Sequence, residues 1–346
     1  RTSRCVCRSL NVHAANHHKP RGRIVLVLAG TILVLLFLSL WIGPVRLTLP
    51  DVWSALTGDP GPLATVVREI RLPRAILACL IGASLGMSGA ALQALVRNPL
   101  AEPGLIGVSA LAALGAVIAY YSGLSGTYAF ALPLGGIIGA FLAVIALFAL
   151  TGRGRGTLTL ILAGVAINSL GGALTALALN LSPNPFAAYE IFFWLMGSLS
   201  NRSSEHVYMV LPLMLCGWAF LLAAARGLDT FTLGEEVAAT LGVNIARTRW
   251  FVIVGSALAV GAGVAVAGIV GFVGLVVPHL LRPFVGHRPI VLLPVSALGG
   301  AALTLAADLV SRAPIGGAEL KLGVVTALIG APFFLFLVLK TRQDVA

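Results

Sequence analysis

Trp250–Val285 is a run of 36 residues with no charge before Arg282. As one helix it would measure about 54 Å, against a hydrocarbon core of about 30 Å. It therefore has to cross a bilayer twice, and the turn is expected at Gly268 and Gly271. Runs long enough for one crossing recur at Ile24–Gly43, Arg74–Val96, Gly104–Tyr121, Tyr128–Leu150, Thr157–Leu181, His206–Ala225, Ile290–Val310 and Lys321–Lys340. The expectation is an all-α polytopic membrane protein with ten transmembrane helices. Hydrophobic residues make up 58% of the chain and charged ones 10%, where soluble domains carry about a quarter charged. The 40 glycines suit close helix packing, and Gly82-x-x-x-Gly86 and Gly135-x-x-x-Gly139 are expected packing faces.

Charge sets the orientation. With loops assigned by parity, 16 Lys/Arg fall on one side: six in the N-terminal tail, then Arg97, Arg153, Arg155, Arg226, Arg247, Arg249, Arg282, Arg288, Lys340 and Arg342. Seven fall on the other: Arg46, Arg68, Arg71, Arg74, Arg202, Arg312 and Lys321. Basic residues gather on the cytoplasmic side, so both termini are expected there. The net charge of +11 then reflects topology, and no nucleic-acid partner is expected. Residues 1–23, with His13, His17 and His18, read as a disordered cytoplasmic tail; residues 24–346 form the membrane domain. Cys79 and Cys216 lie in apolar runs and read as inert packing, while Cys5 and Cys7 suggest no role. Residues 44–72 read as an external loop. Ser182–Ser204, with Phe192, Phe193 and Trp194, reads as a short helix at the outer interface, where aromatic rings are stable.

Residues 226–250 form the longest polar segment with signs of order. Thr232-x-x-Glu235 matches a capping box, and Glu235 and Glu236 would sit in a first helical turn. Val237 and Leu241 share a face, Gly242 is placed to end the helix, and Asn244 to cap the next one. So short a helix is unstable alone and needs a surface: lipid, or another protein.

Rival chemistries find less support. Gly82-Ala83-Ser84-Leu85-Gly86 and Gly86-Met87-Ser88-Gly89 resemble serine-hydrolase patterns, and His279 could be the base; the hydrolase elbow, however, needs a strand before its turn. No G-x-x-x-x-G-K-[ST] is present and only three lysines occur, so the chain carries no phosphate-binding loop of its own. No Asp or Glu is expected deep in a span, with Asp308 near an outer end, which disfavours an ion-driven carrier. Arg71, Arg74 and Arg312 at outer helix ends could pair with carboxylates of a docking protein. Arg97–Gly104, with two prolines, could form a rigid inner constriction. Tyr189, Met196 and His206 could contact a metal-bearing ligand, and read more simply as interfacial residues.

Four segments together resemble the FecCD family of bacterial ABC importer permeases: Arg71–Ser109, Leu233–Asn244, Gly271–Arg282 and Gly323–Phe334. The resemblance implies a type II ABC importer permease fold of ten spans. It also implies a homodimer in the bacterial inner membrane, two cytoplasmic ATP-binding subunits and a periplasmic substrate-binding protein. The cargo would be an iron–siderophore, haem or cobalamin, with the iron chelates the leading expectation. No cofactor would be bound by this chain; ATP and Mg would sit on the partner. Residues 226–249 would hold the coupling helices, with Leu233, Gly234, Glu235, Glu236, Ala239, Leu241 and Gly242 toward the ATPase. Arg71, Arg74 and Arg312 match the family's docking arginines. Asn98, Leu100, Gly156 and Thr157 match its cytoplasmic gate, and spans 5 and 10 would line the route between two copies.

Overall fold

The computed structural model describes residues 19–43, 45–58, 61–128, 130–152, 156–182, 185–313 and 319–343. Among these every regular element is helical. In chain order they are α1 (Lys19–Trp41), α2 (Leu49–Thr57), α3 (Pro62–Thr65), α4 (Leu72–Leu95), α5 (Val108–Tyr121), α6 (Leu124–Thr127), α7 (Ala131–Thr151) and α8 (Thr157–Asn180). There follow α9 (Pro185–Leu195), α10 (Ser204–Phe231), α11 (Glu235–Thr240), α12 (Ile245–Ala267), α13 (Val273–Val285), α14 (Pro289–Ser311) and α15 (Leu322–Gln343). A π-helical turn, Val66–Arg71, leads into α4, and a 3-10 turn, Pro103–Ile106, leads toward α5.

A helix occupies each of the ten expected positions, but the crossings are unequal. Seven helices among the described residues are long and apolar enough to span a membrane. α5 and α13 have 14 and 13 residues, about 21 and 20 Å, short of the core thickness. Each follows irregular backbone that takes up the missing depth. α12 stops at Ala267, and Gly268 turns the chain at φ +74°, as expected. The second positive φ falls on Phe272 (+66°) rather than on Gly271.

The expected tail is shorter than residues 1–23, because α1 begins at Lys19. Cys5, Cys7, His13, His17 and His18 lie outside the described residues, as do Arg153 and Arg155. The described part of residues 44–72 is more ordered than the loop expected there. Thr48 and Asp51 form a capping box on α2, with the Thr48 amide donating to Asp51 Oδ2 at 2.7 Å.

α4 runs through the middle of the bundle with nearly all of its residues buried, packed most extensively on α14 and also on α10, α12 and α13. The expected small-residue faces make these contacts. A Cβ on Gly82 would lie 2.2 Å from the Gly300 carbonyl oxygen, and one on Gly86 2.1 Å from that of Ser296. α5 and α7 meet the same way, with a Gly139 Cβ 2.0 Å from the Leu111 carbonyl oxygen. Helices this close pack backbone on backbone. Gly86→Ala should therefore destabilise the detergent-purified protein by about 1–3 kcal/mol, whereas Gly30→Ala, with open space around its Cβ, should leave the thermal midpoint within a degree or so of wild type.

Candidate transport and coupling sites

The contacts sort the polar side chains toward two ends of the bundle. At one end, two arginines cap α1. A helix leaves its last four carbonyls without partners, and α1 stops at Trp41. Arg71 donates to the carbonyl oxygens of Leu40 (2.7 Å), Trp41 (2.6 Å) and Val45. Arg312 donates to those of Ser39 (2.7 Å) and Ile42 (3.1 Å) and to the Ser39 hydroxyl. Cations also suit the negative end of a helix dipole. Asp308, fully buried, accepts from Arg74 Nε at 2.9 Å and from Arg312 Nη2 at 2.5 Å. Arg74 continues to Glu319 at 3.3 Å, which also accepts from Ser200 at 2.8 Å.

Arg71 and Arg312 thus stand at the expected rim but do not present free guanidinium groups there. They are 4% and 7% exposed, turned inward because the carbonyls at the end of α1 need donors. Arg74 and Glu319 are the more accessible members of the cluster.

In the middle of the bundle, two side chains not singled out from the sequence hold the irregular backbone. Gln93 on α4 is buried, and its Nε2 donates to the carbonyls of Ala101, Gly274 and Leu275 at 3.2–3.4 Å. Its Oε1 accepts from Arg282 at 2.6 Å, which fixes the amide's orientation. Glu102 Oε1 accepts the Phe272 amide at 2.7 Å and so pins the left-handed residue ahead of α13. Gly330 on α15 leaves room for the Phe272 ring, since a Cβ there would come within 2.2 Å. The signal in the sequence was a lone Gln and a lone Glu beside apolar runs. Glu102 lies in the turn before α5 and Asp308 three residues from the end of α14, as expected; the first caps backbone and the second pairs with two arginines.

Around this loop lies a cavity of about 620 Å³, lined by Leu100, Glu102, Asn168, Thr175, Phe272 and Phe334 among others. Asn168 sits halfway along α8 and is exposed. A polar amide at the centre of a span is unfavourable against lipid and marks a polar route. Asn98 shapes the neighbouring turn, its Oδ1 accepting the Leu100 amide at 2.9 Å, and Arg97 there has φ +51°.

At the other end, α11 sits between α10 and α12. The expected capping box is absent. The Thr232 hydroxyl donates to the Asp229 carbonyl, and the residue before α11 is Gly234 at φ +109° with no side-chain cap. Glu235 instead turns inward. Its carboxylate accepts from Arg249 Nη2 at 2.7 and 2.8 Å and from the Thr157 hydroxyl. Burial pushes the Glu235 carboxyl up, but the bonds from Thr157 and Arg249 and the charges of Arg249 and Arg97 outweigh it and hold it below its ordinary value. The tie is present at neutral pH and is lost only as pH falls through that lowered value. Gly242 is left-handed at φ +81°, and Asn244 caps α12 by accepting the Arg247 amide at 2.9 Å; both follow the sequence expectation. Leu233 ahead of α11, Val237 within it and Leu241 at its C-terminal cap stay 62%, 44% and 60% exposed, with Glu236, Ala239 and Gly242 also exposed.

The hydrolase reading has no geometry. The Ser88 hydroxyl is fully buried and makes no hydrogen bond, and the His279 ring lies against Phe333. Tyr189, Met196 and His206 do not assemble a ligand set. Tyr189 packs on Phe193, and His206 Nδ1 accepts the Ser203 amide; no group of three or more His, Cys, Asp or Glu able to hold a metal occurs among the described residues. The outer cluster yields a prediction. Asp308→Ala leaves the buried Arg312 guanidinium without its carboxylate partner and should cost about 3–5 kcal/mol of unfolding free energy, whereas Glu319→Ala, at the exposed edge, should cost under about 1 kcal/mol.

The FecCD transport family model matches residues 31–340. The vitamin B12 import system permease protein BtuC of Vibrio cholerae is 40% identical, covering 97% of this chain and all of that one. The hemin transport system permease protein HmuU of Yersinia pestis is 38% identical, covering 94% and 98%. A solved metal-chelate type ABC transporter in an inward-facing conformation superposes with a TM-score of 0.82 at 34% identity, covering 92% of this chain and 99% of that one. Sequence, fold and length agree: this multi-span membrane chain is a permease subunit of the ABC importer class and belongs to the FecCD transport family.

Proposed function

We propose that this chain is the conduit of an ATP-driven importer that carries haem or an iron–siderophore from periplasm to cytoplasm across a bacterial inner membrane. The observation that carries the reading is the exposed apolar set Leu233, Val237 and Leu241 on and beside a short helix at one end of the bundle. It has the character of a knob for a protein groove, and the ATP-binding subunit is the partner that an importer requires. Glu236, Ala239 and Gly242 flank the set and complete the contact surface. ATP and Mg are held by that subunit, two copies of which serve a homodimer of this chain.

The dimer reading is supported by the exposed apolar faces of α8 (Leu158, Leu162, Leu170) and α15 (Leu328, Leu335, Phe336). Two such faces brought together enclose Asn168 and the cavity beside it between the copies. Asn98 and Leu100 on the inner turn, with Gly156 and Thr157 at the start of α8, then close the cytoplasmic end. At the periplasmic rim, Arg74 and Glu319 meet a substrate-binding protein, while Arg71 and Arg312 support that surface from beneath. Lining such as Leu100, Asn168, Thr175 and Phe334 suits a bulky cargo that passes without being coordinated.

Cobalamin is the second reading, favoured by the 40% identity to a vitamin B12 permease over that protein's full length. Uptake of labelled haem, ferric siderophore and cobalamin into vesicles holding the complete importer separates them. ATP-dependent haem or siderophore uptake, with cobalamin at background, is expected; the reverse pattern overturns the iron assignment. Leu241→Asp should lower copurification of the ATP-binding subunit at least about tenfold, the effect of a charge at an apolar anchor. Arg74→Glu should weaken binding-protein affinity by a similar factor, and an unchanged affinity would remove the docking role.

A further inference from the structure

Groups from three elements converge on the Glu235 carboxylate. Thr157, the first residue of α8, donates its hydroxyl. Arg249 of α12 donates at 2.7 and 2.8 Å. Arg97, in the turn after α4, adds its charge, and its guanidinium reaches within 3.8 Å of where a Gly234 Cβ would stand. Thr157 and the Arg97 turn belong to the two segments, far apart in sequence, that the proposed function reads as the inner gate.

Packing by itself cannot join α11 to α8. α11 has six residues and buries only Ala238; so short a helix has little rigidity of its own. Beside it a cavity of about 830 Å³ opens between the end of α7 and the start of α12, lined by Thr151, Gly156, Leu160, Glu235, Ile245 and Trp250 among others. Across that space the link is polar. Charge-assisted hydrogen bonds are short, directional and about twice as strong as neutral ones.

We propose that Glu235 is a positioning residue that transmits displacement of the docking helix to the first turn of α8 through Thr157 and Arg249, and that it does not touch the ATP-binding subunit. This rests on the permease reading above. α8 in turn carries Asn168 into the central cavity, so the tie leads from the docking surface to the wall of the route.

The test uses vesicles containing the complete importer, in which ATP hydrolysis, uptake and subunit copurification are measured together. Glu235→Gln and Thr157→Val should copurify with the ATP-binding subunit as wild type does and still hydrolyse ATP. Cargo moved per ATP should fall about tenfold in each, the order expected for one charge-assisted bond. Thr157→Ser, which keeps the hydroxyl, should restore the ratio, and the double variant should be no worse than either single one. Loss of copurification in Glu235→Gln, as for Leu241→Asp, would make Glu235 a subunit contact and overturn the proposal. So would an unchanged ratio in the single variants, or effects that multiply in the double. A wild-type chain that shows neither subunit binding nor ATP-driven uptake would sink the permease reading itself, so the two failures look different.

Discussion

Hydrocarbon offers no hydrogen bonds, so a backbone group without a partner inside the bundle is strongly disfavoured. That constraint accounts for the polar side chains in a molecule that has few of them. Arg71 and Arg312 supply donors for the last carbonyls of α1. Gln93 serves the Ala101 carbonyl in the turn after α4 and the Gly274 and Leu275 carbonyls in the first turn of α13, and Glu102 accepts the Phe272 amide. Each is a charged or amide group held at or beside a helix end. Asp308 then keeps Arg312 from being a buried cation without a counter-charge.

Small residues set the second level of organisation. Where Gly82, Gly86 and Gly300 meet, helices approach to backbone distance, and α4 and α14 become a close-packed block with α10 and α12 around it. The short helix α13 packs on this block through α4 and α14, while α5 packs on α7, α8 and α12. Their starting loops share the cavity beside Asn168, so the same irregular backbone that needs capping also makes the space a cargo would occupy. α8 and α15 stand at its edge with apolar side chains uncovered.

The end of the bundle that carries α11 has a different character. α11 is joined to its surroundings through one buried alanine and one carboxylate, and its apolar side chains face outward. Such an element is easily displaced by a partner. Its position between the Arg97 turn and the start of α8 gives a displacement somewhere to go.

Sequence by itself determined the membrane class, the positions of the ten helices and the tight glycine faces. Apolar run length and small-residue spacing are local properties that the bilayer translates directly into structure. It also marked Gly242 and Asn244 as punctuation, because a left-handed turn and a helix cap depend on single residues. Only the tertiary structure decided what the polar groups pair with. Glu235 had the spacing of a capping box, yet Arg249 and Thr157, brought beside it by folding, compete for its carboxylate and win. Arg71 and Arg312 had the position of docking residues, but the end of α1, some 30 and 270 positions away in sequence, claims them first. The shortness of α5 and α13 was hidden for the same reason: the bonds that hold Gln93 and Glu102 to distant backbone exist only once the helices have assembled.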